Sequence, residues 1–163
     1  MGDTLPHAGE ITDALADAFR RGVPVSGVVS AYLFGSHAEG RAHRESDVDV
    51  GVLLRHDAHP TPRDRFDVRV QLSLSLAAGL ARDVVDVVIL NDAPPHLGRL
   101  IVSAGRRVFC VDPSLDHDFV RDVQLRAADL EPFLHRTRRI KLAALGQMTD
   151  LAERLVGRSI EGT

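Results

Sequence analysis

Two periods of apolar residues run along this chain. In "ITDALADAFRRG", Ile11, Leu15 and Phe19 recur at four-residue spacing among Asp and Arg, and Gly22 and Pro24 follow, which predicts a helix with a C-terminal stop. "VSGVVSAYLFG" is rich in β-branched and aromatic residues and closes on Gly35, predicting a buried strand. A second strand, "VDVGVLL", ends in the His- and Pro-rich turn "RHDAHPTP". The helical period returns from Thr61 to about Ala81, with Thr61 as N-cap and Pro62 at the tolerated first position. "VVDVVIL", from Val84 to Leu90, is the cleanest strand; "NDAPPHLGRLIVSAG" reads as a turn, a short helix and a Gly105 cap, and "RVFCVD" as a fourth strand. Beyond Pro113 there is no strand signal. Phe119, Val123, Leu130, Phe133 and Leu134 mark a long amphipathic helix running toward Gly146, with room for a short helix after it. Helix and strand alternating over the first two thirds predict an α/β sheet layered with helices, with no internal repeat.

Composition narrows the class. At 163 residues, 44% apolar and 26% charged, the chain has the length and balance of one soluble globular domain with a real core. Its single cysteine, Cys110, excludes an intramolecular disulfide and a Cys-based zinc site, and its setting in "RRVFCVD" predicts a buried strand position. No apolar run reaches the ~18 residues of a spanning helix, and "MGDTLPHAGE" lacks the basic start and apolar stretch of a signal peptide, so a cytoplasmic protein without membrane contact is expected. A formal charge of −3 gives no net pull toward nucleic acid, and direct nucleic-acid binding is not expected.

The chemistry concentrates in "YLFGSHAEGRAHRESDVDVGVLL". Side chains alternate faces along a strand, so Asp47 and Asp49 point the same way while Val48 and Val50 point into the opposite layer. Two like charges side by side raise one another's pKa unless a cation lies between them. Mg²⁺, hard and oxygen-seeking, suits such a pair, and it keeps waters and substrate phosphates as its other ligands. Gly35 permits a tight turn that exposes amide donors to phosphate oxygens, and Ser36 adds a hydroxyl. A third carboxylate, Asp86, stands within an apolar strand with Val88 and Leu90 on its own face, where an ionised Asp buried among Val and Ile needs a partner or a function. With that strand beside the Asp47 strand, three carboxylates could hold two metal ions for in-line displacement at phosphorus, and Asp86 could take the proton of an attacking hydroxyl. Asp83 is the competitor for that role, nearer the turn and on the opposite face of a regular strand. A turn pair and a loop-capping Asp are each commonplace. Gly-Ser followed after ten residues by Asp-x-Asp, however, arises by chance in roughly one chain of this size in several hundred.

"GSHAEGRAHRESDVDVGVLL" followed by "VVDVVILNDAPP" resembles the minimal nucleotidyltransferases, or MNT proteins, of the DNA polymerase beta-like nucleotidyltransferase superfamily. The resemblance covers about residues 10 to 112 and extends to the C-terminal helix. It implies an α/β fold with a mixed β-sheet flanked by helices and a long C-terminal helix: a nucleotidyltransferase core over 1–112, and 113–163 as a helical extension of the same domain. It further implies that Gly35 and Ser36 hold the triphosphate and that Asp47, Asp49 and Asp86 are the catalytic, Mg²⁺-binding carboxylates, with two ions and ATP as substrate. Glu39 departs from the "GSxARG" form in which many members carry Arg, and Arg41 and Arg44 are the nearby cations that could compensate. Small MNT proteins resemble the antitoxins of HEPN/MNT pairs, in which AMP passes from ATP to a tyrosine of a HEPN ribonuclease. The implied partner is then a HEPN-type toxin in a hetero-oligomer. No Arg-x4-6-His motif of a HEPN ribonuclease occurs in this chain. Two alternatives stand beside this expectation: transfer to a small hydroxylated molecule such as an antibiotic, and a non-catalytic antitoxin that acts by binding.

Other residues carry weaker signals. His56 and His59 read as a solvated turn rather than a metal pair, and His37 and His43 as exposed polar loop residues. Arg136, Arg138, Arg139 and Lys141 form a charge run that reads as a solvated helix face. Tyr32, the only tyrosine, reads as core packing rather than a modification site.

Overall fold

A computed structural model of the protein describes residues 8–42, 46–133 and 136. The chain divides into two compact units, Met1–Gln124 and Leu125–Thr163. In the first, the elements run α1 (Ala8–Arg21), β1 (Val28–Phe34), α2 (Gly35–Ala38), β2 (Val48–Leu54), α3 (Pro62–Leu80), β3 (Val85–Ile89), α4 (Pro95–Ala104) and β4 (Arg106–Cys110), and residues 113–124 close it as helix. Of the second unit, residues 125–133 are helical. The charge run at Arg138, Arg139 and Lys141 lies outside the described residues.

The four strands form one sheet in the order β3-β2-β1-β4. β1 lies antiparallel to β2 and to β4, whereas β2 and β3 are parallel, joined through α3. The sheet is therefore mixed, as the resemblance implies. Alternation divides it into two faces. Val48, Val50, Val52, Val85, Val87 and Ile89 pack against Leu15 and Phe19 of α1 and Leu72 and Leu76 of α3. On the other face Tyr32, Leu53 and Leu90 pack with Ile101 of α4 and with Phe119. Asp49 and Asp86, out of phase with the valines, lie on this second face.

Local chemistry explains the helix ends. Thr61 accepts from the Asp64 amide and Asp64 accepts in return from the Thr61 amide, a reciprocal capping box ahead of Pro62. Gly105 ends α4, but in extended conformation at φ −77° rather than as a left-handed cap. It is glycine because a Cβ would strike the Ile101 and Leu33 carbonyl oxygens. Gly98 likewise lets α4 approach Val123. Cys110 is a free thiol at the end of β4 and only half-buried. Leu130 and Phe133 are exposed rather than on a buried face, and Leu134 lies outside the described residues.

The largest departure from the sequence reading is a polar group inside the second face. Asp116, 2% exposed, accepts hydrogen bonds from Ser30 Oγ at 2.6 Å, Tyr32 Oη at 2.7 Å and Arg107 Nη1 at 2.8 Å. Burial works against ionisation of Asp116, yet these three donors hold its carboxyl below the usual range. Tyr32 is buried, as expected, and its phenol is pushed well above its ordinary pKa by burial and by the hydrogen bond to Asp116.

Candidate active site

β2 begins at Val48, so Asp47 precedes the strand in an exposed position and Asp49 is its second residue, half-buried. The parallel register sets Asp49 opposite Asp86, and the antiparallel register sets it opposite Phe34, the last residue of β1. The chain then turns through Gly35, at φ +70°, into the short α2. A Cβ on Gly35 would be driven into the Asp49 carboxylate, so glycine is required on both counts. Asp47, Asp49, Asp86 and the Gly35–Ser36 turn thus converge at one end of three adjacent strands. Asp83 stands apart in the loop before β3.

Burial pushes the Asp49 carboxyl above its ordinary pKa, and the charges of Asp86 and then Asp47 push it further, with His37 opposing them. This is an acidic oxygen set whose like charges repel one another. Among the described residues no three Asp, Glu, His or Cys side chains stand close enough together to hold a metal by themselves. The donor set still fits a hard cation of the Mg²⁺ type, which takes one or two carboxylates and completes its shell with water and substrate phosphate.

Asp86 is exposed rather than buried among apolar side chains, because β3 is an edge strand and this face is open there. Its partner is Arg69 of α3, whose Nη2 lies 3.4 Å from Oδ1. Both groups are about half exposed, so the pair holds loosely. His37, expected to be exposed, is 2% exposed. Its Nε2 lies 3.1 Å from the Ser46 carbonyl and serves as donor, tying α2 to the residue before Asp47. Arg41 pairs with Glu39 and so cancels its charge, while His43 and Arg44 lie outside the described residues. His59 bonds the Ser26 carbonyl at 2.9 Å, a structural contact between loops.

Two further residues without a sequence signal brace β2 and β3 at the ends opposite the carboxylates. Arg65 of α3, buried, grips both Asp92 carboxylate oxygens and donates to the His59 and Pro60 carbonyls at 3.0 and 3.1 Å. Asn91 bonds both the amide and the carbonyl of Leu54 at 2.9 Å, fastening the end of β3 to the end of β2. Both act where β2 and β3 end, away from Asp49 and Asp86.

The polymerase beta, nucleotidyltransferase family matches residues 24–114, more than half of the chain. The chain belongs to this nucleotidyltransferase family. It is 36% identical over 80 residues to the protein adenylyltransferase MntA of Shewanella oneidensis, a match covering 48% of this chain and about half, 51%, of that relative's length. A chain in a toxin–antitoxin crystal structure with AMP-PNP superposes with a TM-score of 0.55 at 25% identity, over 78% of this chain and 98% of that one. In fold, this nucleotidyltransferase is also similar to a chain from the tri-AMPylated Shewanella oneidensis HEPN toxin in complex with MNT antitoxin, at a TM-score of 0.54 and 21% identity, over 80% of this chain and 98% of the other. Among the described residues no helix is long and apolar enough to cross a membrane.

Proposed function

We propose that this nucleotidyltransferase is an Mg²⁺-dependent protein adenylyltransferase that moves AMP from ATP to a tyrosine hydroxyl of a HEPN-family toxin, acting as its cytoplasmic antitoxin in a hetero-oligomer. The observation that carries the reading is the alignment of Asp49 with Asp86, beside Asp47 and within contact of the Gly35 turn. The adenylyltransferase named among its relatives and the AMP-PNP in the similar toxin–antitoxin structure support adenylate as the transferred group. The HEPN partner follows from the MNT resemblance of "GSHAEGRAHRESDVDVGVLL".

In this reading the Gly35 and Ser36 amides and the Ser36 hydroxyl cradle the outer phosphates. Asp47 and Asp49 would hold Mg²⁺, with Asp86 joining for a second ion, and the metal when bound neutralises the triphosphate and polarises the α-phosphoryl group. The acceptor oxygen forms a bond to the α-phosphorus, the bond to pyrophosphate breaks, and the hydroxyl proton passes to Asp86. Arg69 must yield Asp86 for that step. His37, bonded to the Ser46 carbonyl, holds the segment before Asp47 in place.

Calorimetry tests this directly. ATP binding should be strong with Mg²⁺ and lost in EDTA; equal affinity in both removes the site assignment. Asp86→Asn should keep the fold and ATP binding while lowering adenylate transfer by about 10² to 10⁴, the contribution of a positioned base. Asp83→Asn should leave transfer unchanged, and loss there instead would show that the base is misassigned.

A further inference from the structure

Beyond Asp86, on the side away from the Gly35–Ser36 turn, lies a cavity of about 450 Å³. Phe66 of α3, Val88 of β3, Pro94 and Leu97 line it, and Asp86 and Arg69 stand at its wall. The other charged groups there, Arg65 and Asp92, satisfy each other through the paired hydrogen bonds described above. The cavity is thus largely apolar, with the Arg65–Asp92 pair in its lining and the exposed Asp86 carboxylate in loose contact with Arg69.

Its position follows from the order of the strands. The turn that would hold the leaving phosphates ends β1, Asp47 immediately precedes β2 and Asp49 belongs to it, and Asp86 belongs to β3 at the sheet edge. In displacement at phosphorus the attacking and leaving oxygens stand roughly in line. The line from β1 through β2 leads past Asp86 into this cavity, so the attacking hydroxyl meets Asp86 and the group that carries it fills the space behind.

Resting on the transferase reading above, we propose that this cavity is the acceptor subsite, that it takes the phenol ring of a tyrosine with its hydroxyl donated to Asp86, and that Phe66 selects for the ring. An apolar wall with a carboxylate at one end complements a phenol: the ring is desolvated against Phe66, Pro94 and Leu97, and its one polar group has a hydrogen-bond acceptor. Phe66, Val70 and Leu74, 58%, 43% and 68% exposed, recur at four-residue spacing along α3 and extend the apolar surface away from the cavity. A second hollow shares Phe66, Arg69 and Asp86 with the first and continues along Val70 and Leu74. That continuity provides for the polypeptide on either side of a tyrosine and favours a protein acceptor.

The test is NMR of the full chain labelled at Leu and Val methyls and backbone amides. N-acetyl-L-tyrosinamide, titrated into the millimolar range, should shift the Leu97 and Val88 methyls saturably, with or without ATP and Mg²⁺. Phe66→Ala should weaken that binding about fivefold, the scale of a lost aromatic contact, while leaving ATP affinity unchanged. Tyrosinamide that leaves these methyls unmoved overturns the subsite, as does ATP that shifts them and competes with tyrosinamide, which would make the cavity a nucleobase site. Concentration-dependent shifts of the same methyls without any ligand overturn it in favour of a second copy of the chain. Failure of ATP with Mg²⁺ to perturb the Gly35, Asp47 and Asp49 amides instead removes the transferase reading, and the subsite with it.

Discussion

Asp49 and Asp116 are both carboxylates on the sheet's second face, the first half-buried and the second buried, and their surroundings move them in opposite directions. Asp116 has three donors and is held ionised. Asp49 is pushed up by burial and by Asp86 and Asp47, so its ionised form opposes folding when no cation is bound. The sign follows from linkage: a carboxyl whose folded pKa is raised keeps its full stability below the unfolded value of about 4 and loses it as pH rises through the folded pKa. Asp49→Asn should therefore raise the melting temperature in EDTA at neutral pH by on the order of 2–4 °C for each kcal/mol of repulsion relieved, and the gain should vanish below about pH 4. Thermal unfolding in EDTA across that range measures it; a variant less stable than the parent at neutral pH would refute the repulsion argument. Asp49 was legible because the Asp-x-Asp spacing alone puts two carboxylates on one face. Asp116 was not, since its partners Ser30 and Tyr32 stand 86 and 84 residues away and only tertiary packing unites them.

At the scale of elements, alternation and turn residues located the helices and strands well, and β2 spans the residues of "VDVGVLL". The edges that shifted have local causes. β1 starts at Val28, after Gly27 takes φ +76°, and β3 loses Leu90 to a turn that the Asp92 amide closes on the Ile89 carbonyl. Gly35 was legible as a tight turn, but not the reason no other residue fits, because that reason is the Asp49 carboxylate brought alongside by the β1–β2 register. Gly40 provides the control. It has the same φ of +70°, yet a Cβ there meets nothing within 4 Å. Gly35→Ala and Gly40→Ala should each lose about 1–2 kcal/mol to left-handed strain in chemical denaturation. Only Gly35→Ala should also displace the Asp49 carboxylate and weaken Mg²⁺-dependent ATP binding. Equal ATP affinity in the two variants would mean that the turn and the carboxylate do not share a site.

The whole molecule adds what neither residues nor elements contain: the strand order, which puts the turn after β1, the paired aspartates at the start of β2 and Asp86 of β3 in sequence across the sheet. Helix–strand alternation predicted the layering, but the parallel pairing of β2 with β3 through α3, and the cavity it leaves between α3 and α4, exist only once the sheet is assembled. The same order separates two ways of being an antitoxin. Asp47 is exposed and Asp49 lies in the open cleft, among carboxylates that repel it, so Asp47→Ala combined with Asp49→Ala removes charge without opening the apolar core of Val48, Val50 and Val52. The double variant should accumulate like the parent and melt no lower in EDTA. If neutralisation is catalytic, cells producing the cognate toxin should fail to grow with this variant, because phosphoryl transfer has no substitute for both ligands of the metal. If neutralisation is by occlusion, a partner-binding surface outside the cleft is untouched and growth should be restored. Growth assays paired with labelled-ATP transfer to the toxin decide between the two, since full rescue by a variant without transferase activity defeats the enzymatic antitoxin while leaving the nucleotidyltransferase fold in place.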